Sequence, residues 1–355
     1  MASFQSLLSS TSSSLTEKDQ QEFIRTIWQQ KALFIEAAVS DLNDVVDGDT
    51  LMDLACEPEV ESRIINGHSI DGEWHCQQGP FDEASFDQLP DNNWTLLVQG
   101  LDQWSEELNS ILDRFHFLPR WRLEDIMASY APAGGGVGPH FDYYDVFLLQ
   151  VSGERVWQLG ERCDENTPLQ NNEQVKLLEQ FATQQEYTAK AGDVLYIPAG
   201  MAHWGTATSD DCITLSVGFR APSQREILLT ALNNLADNFS EQLRYQDNAS
   251  SIDVHPAKIN QAVHQQLSQY LHALTPDLLQ ESINQAFGQL VTEPRYTAVE
   301  ENDDQQDYVK IIIQQLKKDK HVELQHPIHS RLAFSDKQLF VNGEAYIVSE
   351  AFAKG

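Results

Sequence analysis

A β-rich sandwich or barrel, followed by a helical module and a small helix-plus-hairpin tail, is the architecture this sequence predicts. Three observations carry it. Up to Arg220 the chain consists of short β-rich runs punctuated by Gly, Pro and Asp, the texture of an antiparallel sheet fold. After Pro222, leucines recur at three- and four-residue spacing, which marks amphipathic helices. Near the end, Asn342-Gly343 separates two strand-like runs, and both central positions of such a tight turn favour positive φ. The boundaries that follow are 1–220, 221–291 and 292–355.

Taken in order, helical stretches open the chain at Glu17 to Gln30 and Glu36 to Val46. Strands are expected at Trp94 to Val98, Asp145 to Val151, Arg155 to Leu159, Asp193 to Ile197 and Cys212 to Phe219. Ser223-Gln224-Arg225-Glu226 then fits a capping box, in which the serine hydroxyl and the glutamate each satisfy an orphan amide at a helix start. Leu228, Leu232, Leu235, Phe239 and Leu243 give that helix one apolar face. Ile259, Val263, Leu267, Leu271 and Leu274 mark a second helix. A third begins at Thr275-Pro276, where proline at the first helical position sacrifices no hydrogen bond, and carries Leu279, Ile283, Phe287 and Leu290. Three such helices suit a dimerisation module, although packing against the β domain would use the same faces. Glu293 to Asp307 reads as an acidic linker. Beyond it, Tyr308, Ile311, Ile312 and Leu316 mark a helix, and strands at Arg331 to Ser335, Gln338 to Val341 and Glu344 to Val348 complete a winged-helix-like tail.

Composition limits the function. The 355 residues carry 23 Lys+Arg against 54 Asp+Glu, a net charge of −31, which repels nucleic-acid phosphates and anionic lipid and favours a basic partner. Even the tail, with Lys317, Lys318 and Lys320, sits in an acidic segment, so direct DNA binding is not expected. No apolar run approaches the ~18 residues of a membrane span, and the first basic residue is Lys18, so no membrane attachment and a cytoplasmic location are expected. Cys56, Cys76, Cys163 and Cys212 lack C-x-x-C spacing and read as reduced core thiols.

The chemistry is concentrated in Gly134 to Phe147. If this stretch is a strand, His140, Asp142 and Tyr144 share a face, and an imidazole beside a carboxylate can take two neighbouring positions on one metal. A second histidine would complete the facial triad that leaves open positions on Fe(II). The H-x-D triplet alone decides nothing: with 11 His and 54 acidic residues, chance supplies about two H-x-D/E triplets, and two occur, at His140 and at His321-x-Glu323. Context favours the first. The Gly-Pro run before His140 allows close approach of a ligand or peptide, and a β-rich segment follows; a phosphate-loop reading fails because no Lys-Ser/Thr follows the glycines. Downstream, a Gly-Asp turn, a buried strand and a Pro-Ala-Gly corner deliver His203, although a capped loop histidine would look the same. Arg155 lies in an apolar strand context, and its planar fork matches a carboxylate; a dicarboxylic cosubstrate between metal and Arg155 would explain it, as would an ordinary ion pair.

These residues together resemble the JmjC/cupin-type 2-oxoglutarate oxygenases, especially the bacterial ribosomal oxygenases that hydroxylate an arginine of large-subunit ribosomal protein L-16. The resemblance rests on Trp74 to Trp94 with Gly79-Pro80-Phe81 and Leu89-Pro90, on Val137-Gly138-Pro139-His140-x-Asp142-x-Tyr144-Asp145-Val146-Phe147, on Gly192-Asp193-x-Leu195-Tyr196-Ile197-Pro198, and on Ser216 to Pro222. It implies a double-stranded β-helix (jelly-roll) domain, Fe(II) held by His140, Asp142 and His203, Arg155 on the far carboxylate of 2-oxoglutarate, and O2 as the other cosubstrate. Tyr144, Arg220 and Ser223 are the residues it suggests for the substrate. It also fits the order of β domain, helical module and winged-helix-like tail, and a homodimer is expected.

The implied function is protein arginine hydroxylation. Hydroxylation of a histidine in a ribosomal protein is the nearest alternative, demethylation would release formaldehyde, and a non-enzymatic metal- or ligand-binding cupin is the alternative of another class. Residues 1–220 hold 12 basic and 36 acidic residues, so the acid lies on the domain where a basic ribosomal protein would dock.

Overall fold

The computed structural model describes residues 4–9, 14–67, 69, 70, 72–172, 175–253, 255, 257–272, 274–295 and 330–348. They divide into two compact units, one built on Met1–Arg220 with Arg295 and the other on Ala221–Pro294 with the strands after Ser330.

The first unit runs α1 (Ser14–Thr26), β1 (Leu33–Ile35), α2 (Gly48–Ala55), β2 (Ser62–Asn66), β3 (His75–Gln78), α3 (Glu83–Asp87), β4 (Trp94–Val98), α4 (Glu106–Ile111), β5 (Leu123–Ala131), β6 (Asp145–Ser152), β7 (Glu154–Arg162), β8 (Gln185–Lys190), β9 (Val194–Ile197), β10 (Met201–Ala207) and β11 (Cys212–Phe219). Two antiparallel sheets result, an eight-stranded one in the order β1-β9-β6-β11-β5-β4-β2-β3 and a three-stranded one in the order β10-β7-β8. Alternation along β6 shows how they are layered. Phe147, Leu149 and Val151 join Phe23, Phe115, Tyr196 and Phe219 in the core beneath the helices. Val146 and Leu148 point the other way and pack with Trp157, Leu159 and Ala189 of the small sheet. β6 is therefore buried on both faces, which is why it reads as a nearly continuous apolar run.

The strands expected at Trp94, Asp145, Arg155, Asp193 and Cys212 appear as β4, β6, β7, β9 and β11. Glu36 to Val46 does not form the expected helix; it turns through residues with one three-residue 3-10 segment at Ser40–Leu42. The backbone there is claimed by the Gly192-Asp193 turn: the Ala37 N–H donates to the Asp193 carboxylate (2.9 Å) and the Val39 N–H to the Gly192 carbonyl (2.9 Å). Ala37 itself adopts φ 52°, which no helix can accommodate.

The second unit contains α5 (Gln224–Ala236), α6 (Gln261–His272) and α7 (Pro276–Thr292), then β12 (Leu332–Phe334), β13 (Gln338–Val341) and β14 (Glu344–Ile347). The capping box at Ser223 forms as expected, and Thr275 caps α7 with Pro276 at its start. α5 stops at Ala236, short of Phe239 and Leu243. Ser282 Oγ on α7 donates to the Ala231 carbonyl of α5 (2.6 Å). The strands form an antiparallel meander whose Asn342-Gly343 turn has φ of 49° and 83°. Phe340 lies over Gly288 of α7, where a β-carbon would come within 2.3 Å of its ring. The helix expected around Tyr308 to Leu316 lies outside the described residues.

Candidate metal centre

His140, Asp142 and His203 are brought together between the two sheets. His140 and Asp142 lie in the loop entering β6, not in the strand itself, and His203 lies on β10. Main-chain bonds set the spacing: the His140 N–H donates to the His203 carbonyl (3.0 Å), the His203 N–H to the His140 carbonyl (2.8 Å), and the Gly200 N–H to the Asp142 carbonyl (2.7 Å). The loop before His140 runs so close to β10 that a β-carbon on Gly136 would sit 2.2 Å from the Gly205 carbonyl oxygen. That glycine admits the protein's own backbone, where the sequence suggested room for a ligand.

Each imidazole presents one nitrogen to a common point. His140 Nδ1 is 2.9 Å from the Gly138 carbonyl and His203 Nδ1 is 3.0 Å from that of Met201. A carbonyl only accepts, so Nδ1 carries the proton and Nε2 keeps its lone pair. Asp142 Oδ2 lies 3.8 Å from His140 Nε2 and 3.7 Å from His203 Nε2. Two donors on one ion, each ~2.1 Å away, can be at most ~4.2 Å apart, so both spacings fit a shared metal. Burial, followed by the neighbouring His140, lowers the pKa of His203 to about 4, so this ligand atom is free of protons at neutral pH. Two histidines, one carboxylate and a partly exposed opening suit iron with open positions.

Arg155 is 2% exposed. Its Nε and Nη2, the two nitrogens of one guanidinium fork, are buried with no hydrogen-bond partner. Among the described residues no carboxylate pairs with it; its guanidinium instead lies 5.6 Å from the ring centroid of Trp157. Trp157 in turn lies 6.2 Å from the His203 ring. A fork so placed fits the far carboxylate of a dicarboxylic acid whose other end reaches the metal site.

Tyr144 packs on the cluster between the sheets, and burial together with the Asp142 and Asp125 carboxylates raises its pKa far above the usual phenol range. Asp125 is buried, accepts the Gly100 N–H (3.1 Å), and faces the same Gly218 backbone as Tyr144. Sequence reasoning passed over both Asp125 and Trp157; neither carries a local signal, since Asp125 follows Glu124 in a mixed polar and apolar stretch, Leu123–Ala131. Arg220 Nη1 lies 3.7 Å from Glu124 Oε1. Ser223 belongs to the other unit, and its hydroxyl accepts the Glu226 N–H (3.1 Å), a capping role that accounts for it. Just past Asp142, the fully buried Asp145 is held by Tyr196 (2.6 Å), Gln29 (3.1 Å) and Arg122 (3.5 Å), which pins the ligand-bearing loop to the end of α1.

Comparison with known proteins gives a consistent result. Residues 110–227 match the JmjC domain. The chain is 34% identical over 282 residues to the Escherichia coli ribosomal protein uL16 3-hydroxylase, covering 78% of this chain and 72% of that protein. It is 38% identical over 244 residues to a probable ribosomal oxygenase of Haemophilus influenzae, covering 68% of this chain and 57% of that protein, so it spans less than two thirds of that relative. The X-ray structure of E. coli YcfD aligns with a TM-score of 0.73 at 28% identity, over 92% of this chain and 86% of that one. The complex of YcfD with cobalt and 2-oxoglutarate aligns with a TM-score of 0.70 at 29% identity, over 92% and 85%.

Proposed function

The chain belongs to the JmjC-domain ribosomal oxygenases, and on that footing we propose that it is an Fe(II)- and 2-oxoglutarate-dependent dioxygenase that hydroxylates an arginine of ribosomal protein uL16. The observation that carries the reading is the pairing of three convergent metal donors with a buried, unpaired guanidinium fork on β7, the strand paired with the β10 strand that carries His203. When bound, iron and 2-oxoglutarate supply oxidising power from O2, with succinate and carbon dioxide as by-products. His140, Asp142 and His203 hold the metal. Arg155 binds the far carboxylate and so orients the cosubstrate along β7. Tyr144 walls the substrate pocket, and Asp125 beside it offers the anion that a substrate guanidinium needs when it leaves water. Arg220, at the exit from the β domain, remains a further candidate for substrate contact, and Ser223 rests on the family resemblance alone.

The acidic first unit suits a basic ribosomal protein, and a cytoplasmic location follows from such a substrate. Among the described residues no helix is long and apolar enough to cross a membrane. For the second unit we favour a homodimer interface, since Leu228 and Leu232 on α5 are each 54% exposed and Tyr270 on α6 is 56% exposed. Sedimentation of a Leu228→Asp, Leu232→Asp variant tests this, and an unchanged mass refutes it. The meander β12-β13-β14 supports a winged-helix-like end, with no part in DNA binding.

The deciding experiment incubates the iron-loaded protein with ascorbate, 2-oxoglutarate and uL16 from a strain lacking this gene. A gain of about 16 Da on one arginine, absent with Asp142→Ala, is expected. A gain on histidine would move the substrate assignment, and turnover of neither cosubstrate nor protein would return the chain to the non-enzymatic cupin reading.

A further inference from the structure

We infer that Trp157 selects the cosubstrate, its indole N–H joining Arg155 on the far carboxylate and rejecting 2-oxo acids that lack one. The inference rests on the proposed function and adds a residue to it. Trp157 is 6% exposed, and its Nε1 is buried with no hydrogen-bond partner. Buried indole N–H groups ordinarily find an acceptor, so an orphan here points to a group that binds. Among the described residues, the other orphaned donors on this strand are Arg155 Nε and Nη2, two residues away on the same face and in contact with the indole.

The donor count matches a carboxylate. Its two oxygens offer about four lone-pair sites, of which a side-on guanidinium fork takes two. In a dry pocket the remaining sites need donors as well, and a neutral N–H supplies one without adding a second buried charge. The indole is also fixed in place beforehand. Trp157 pairs with Gly205 across β7 and β10, and a β-carbon on Gly205 would come within 2.4 Å of its ring. The ring therefore lies flat on bare backbone, between the guanidinium at 5.6 Å and the His203 ring at 6.2 Å.

Discrimination follows from what a wrong ligand leaves behind. A five-carbon 2-oxo acid ending in a methyl group would reach the metal equally well but strand three buried donors, and sites built on hydrogen bonds reject such analogues strongly.

Equilibrium binding of 2-oxoglutarate and of 2-oxopentanoate to the full chain loaded with Zn(II), which prevents turnover, tests the assignment. Trp157→Phe is expected to weaken 2-oxoglutarate binding about tenfold to a hundredfold, with 2-oxopentanoate and Zn(II) binding unchanged, and Trp157→His, which keeps a ring N–H, to restore part of the preference. Equal weakening of both acids, or of neither, would overturn the inference and leave the proposed function standing. Failure of the wild type to bind 2-oxoglutarate would overturn both. Should the variants not fold, the wild type still answers: of its seven tryptophan indole N–H NMR signals, one should move downfield with 2-oxoglutarate and stay put with 2-oxopentanoate, and seven unmoved signals would refute the contact.

Discussion

Replacing Arg155 by methionine should make the ligand-free protein more stable and the cosubstrate nearly unable to bind. Arg155 is 2% exposed, and two of its nitrogens have no partner. A charge taken from water in this state costs several kcal/mol, and exchanging buried charged groups for apolar ones of similar volume commonly gains 1–4 kcal/mol, roughly. Stacking on Trp157 at 5.6 Å offsets part of the cost, by about 0.5–2 kcal/mol. Methionine fills the space of the arginine stem and brings no donor, so the metal-loaded, ligand-free variant should gain about 1–2 kcal/mol. Ligand binding changes in the other direction. Removing one partner of a buried charge pair costs about 2–5 kcal/mol, or roughly 30- to 4,000-fold in affinity. Urea unfolding of the Zn(II)-loaded proteins, with and without 2-oxoglutarate, reads both effects. Wild type should be stabilised by about 2.7 kcal/mol at a hundredfold excess over Kd, and the variant should start higher and not respond. A variant less stable than wild type without ligand, yet bound normally by 2-oxoglutarate, would refute the claim that this guanidinium waits for an anion.

Asp142→Ala should abolish turnover and Zn(II) binding while leaving the circular dichroism spectrum and unfolding midpoint near wild type, because the loop is held by its main chain; metal content and urea melts check both. In metal-free protein the His203 pKa falls from 6.5 to about 4 on folding. The unfolded chain then binds more protons between those values, so stability should be full above pH 6.5 and decline towards pH 4, by up to about 3 kcal/mol; urea melts at pH 7 and pH 4.5 that differ less for His203→Phe than for wild type would support it. Gly205→Ala drives a methyl group into the Trp157 ring and should cost about 1–3 kcal/mol together with 2-oxoglutarate affinity, whereas an unaffected affinity would show that the indole plane is unimportant. Affinity for a basic substrate protein should fall with ionic strength, given 36 acidic against 12 basic residues up to Arg220, and a salt-independent Kd measured by titration would remove electrostatic docking.

Much of this was legible in the sequence where a local rule and the tertiary structure agree. The Ser223 capping box, the Pro276 helix start and the Asn342-Gly343 turn are set by side chains within a few residues, and each forms as read. Segments whose partners are remote were misread. Glu36 to Val46 has helical spacing but gives its amides to Asp193 and Gly192, and β5 escaped notice because burial on both faces erases its alternation. The three convergent side chains were found from context around one H-x-D triplet. Trp157 was not, because an orphaned N–H exists only once neighbours are known, and a tryptophan in an apolar strand reads as ordinary core.

The reciprocal main-chain bonds between His140 and His203 separate having a fold from having an ion. A zinc finger needs its metal as a staple and melts when it is stripped; here the coordinating side chains are brought together by main-chain hydrogen bonds that do not involve the metal. The protein should therefore exchange its metal as a reversible solute, staying intact when the supply runs out and returning to activity without refolding.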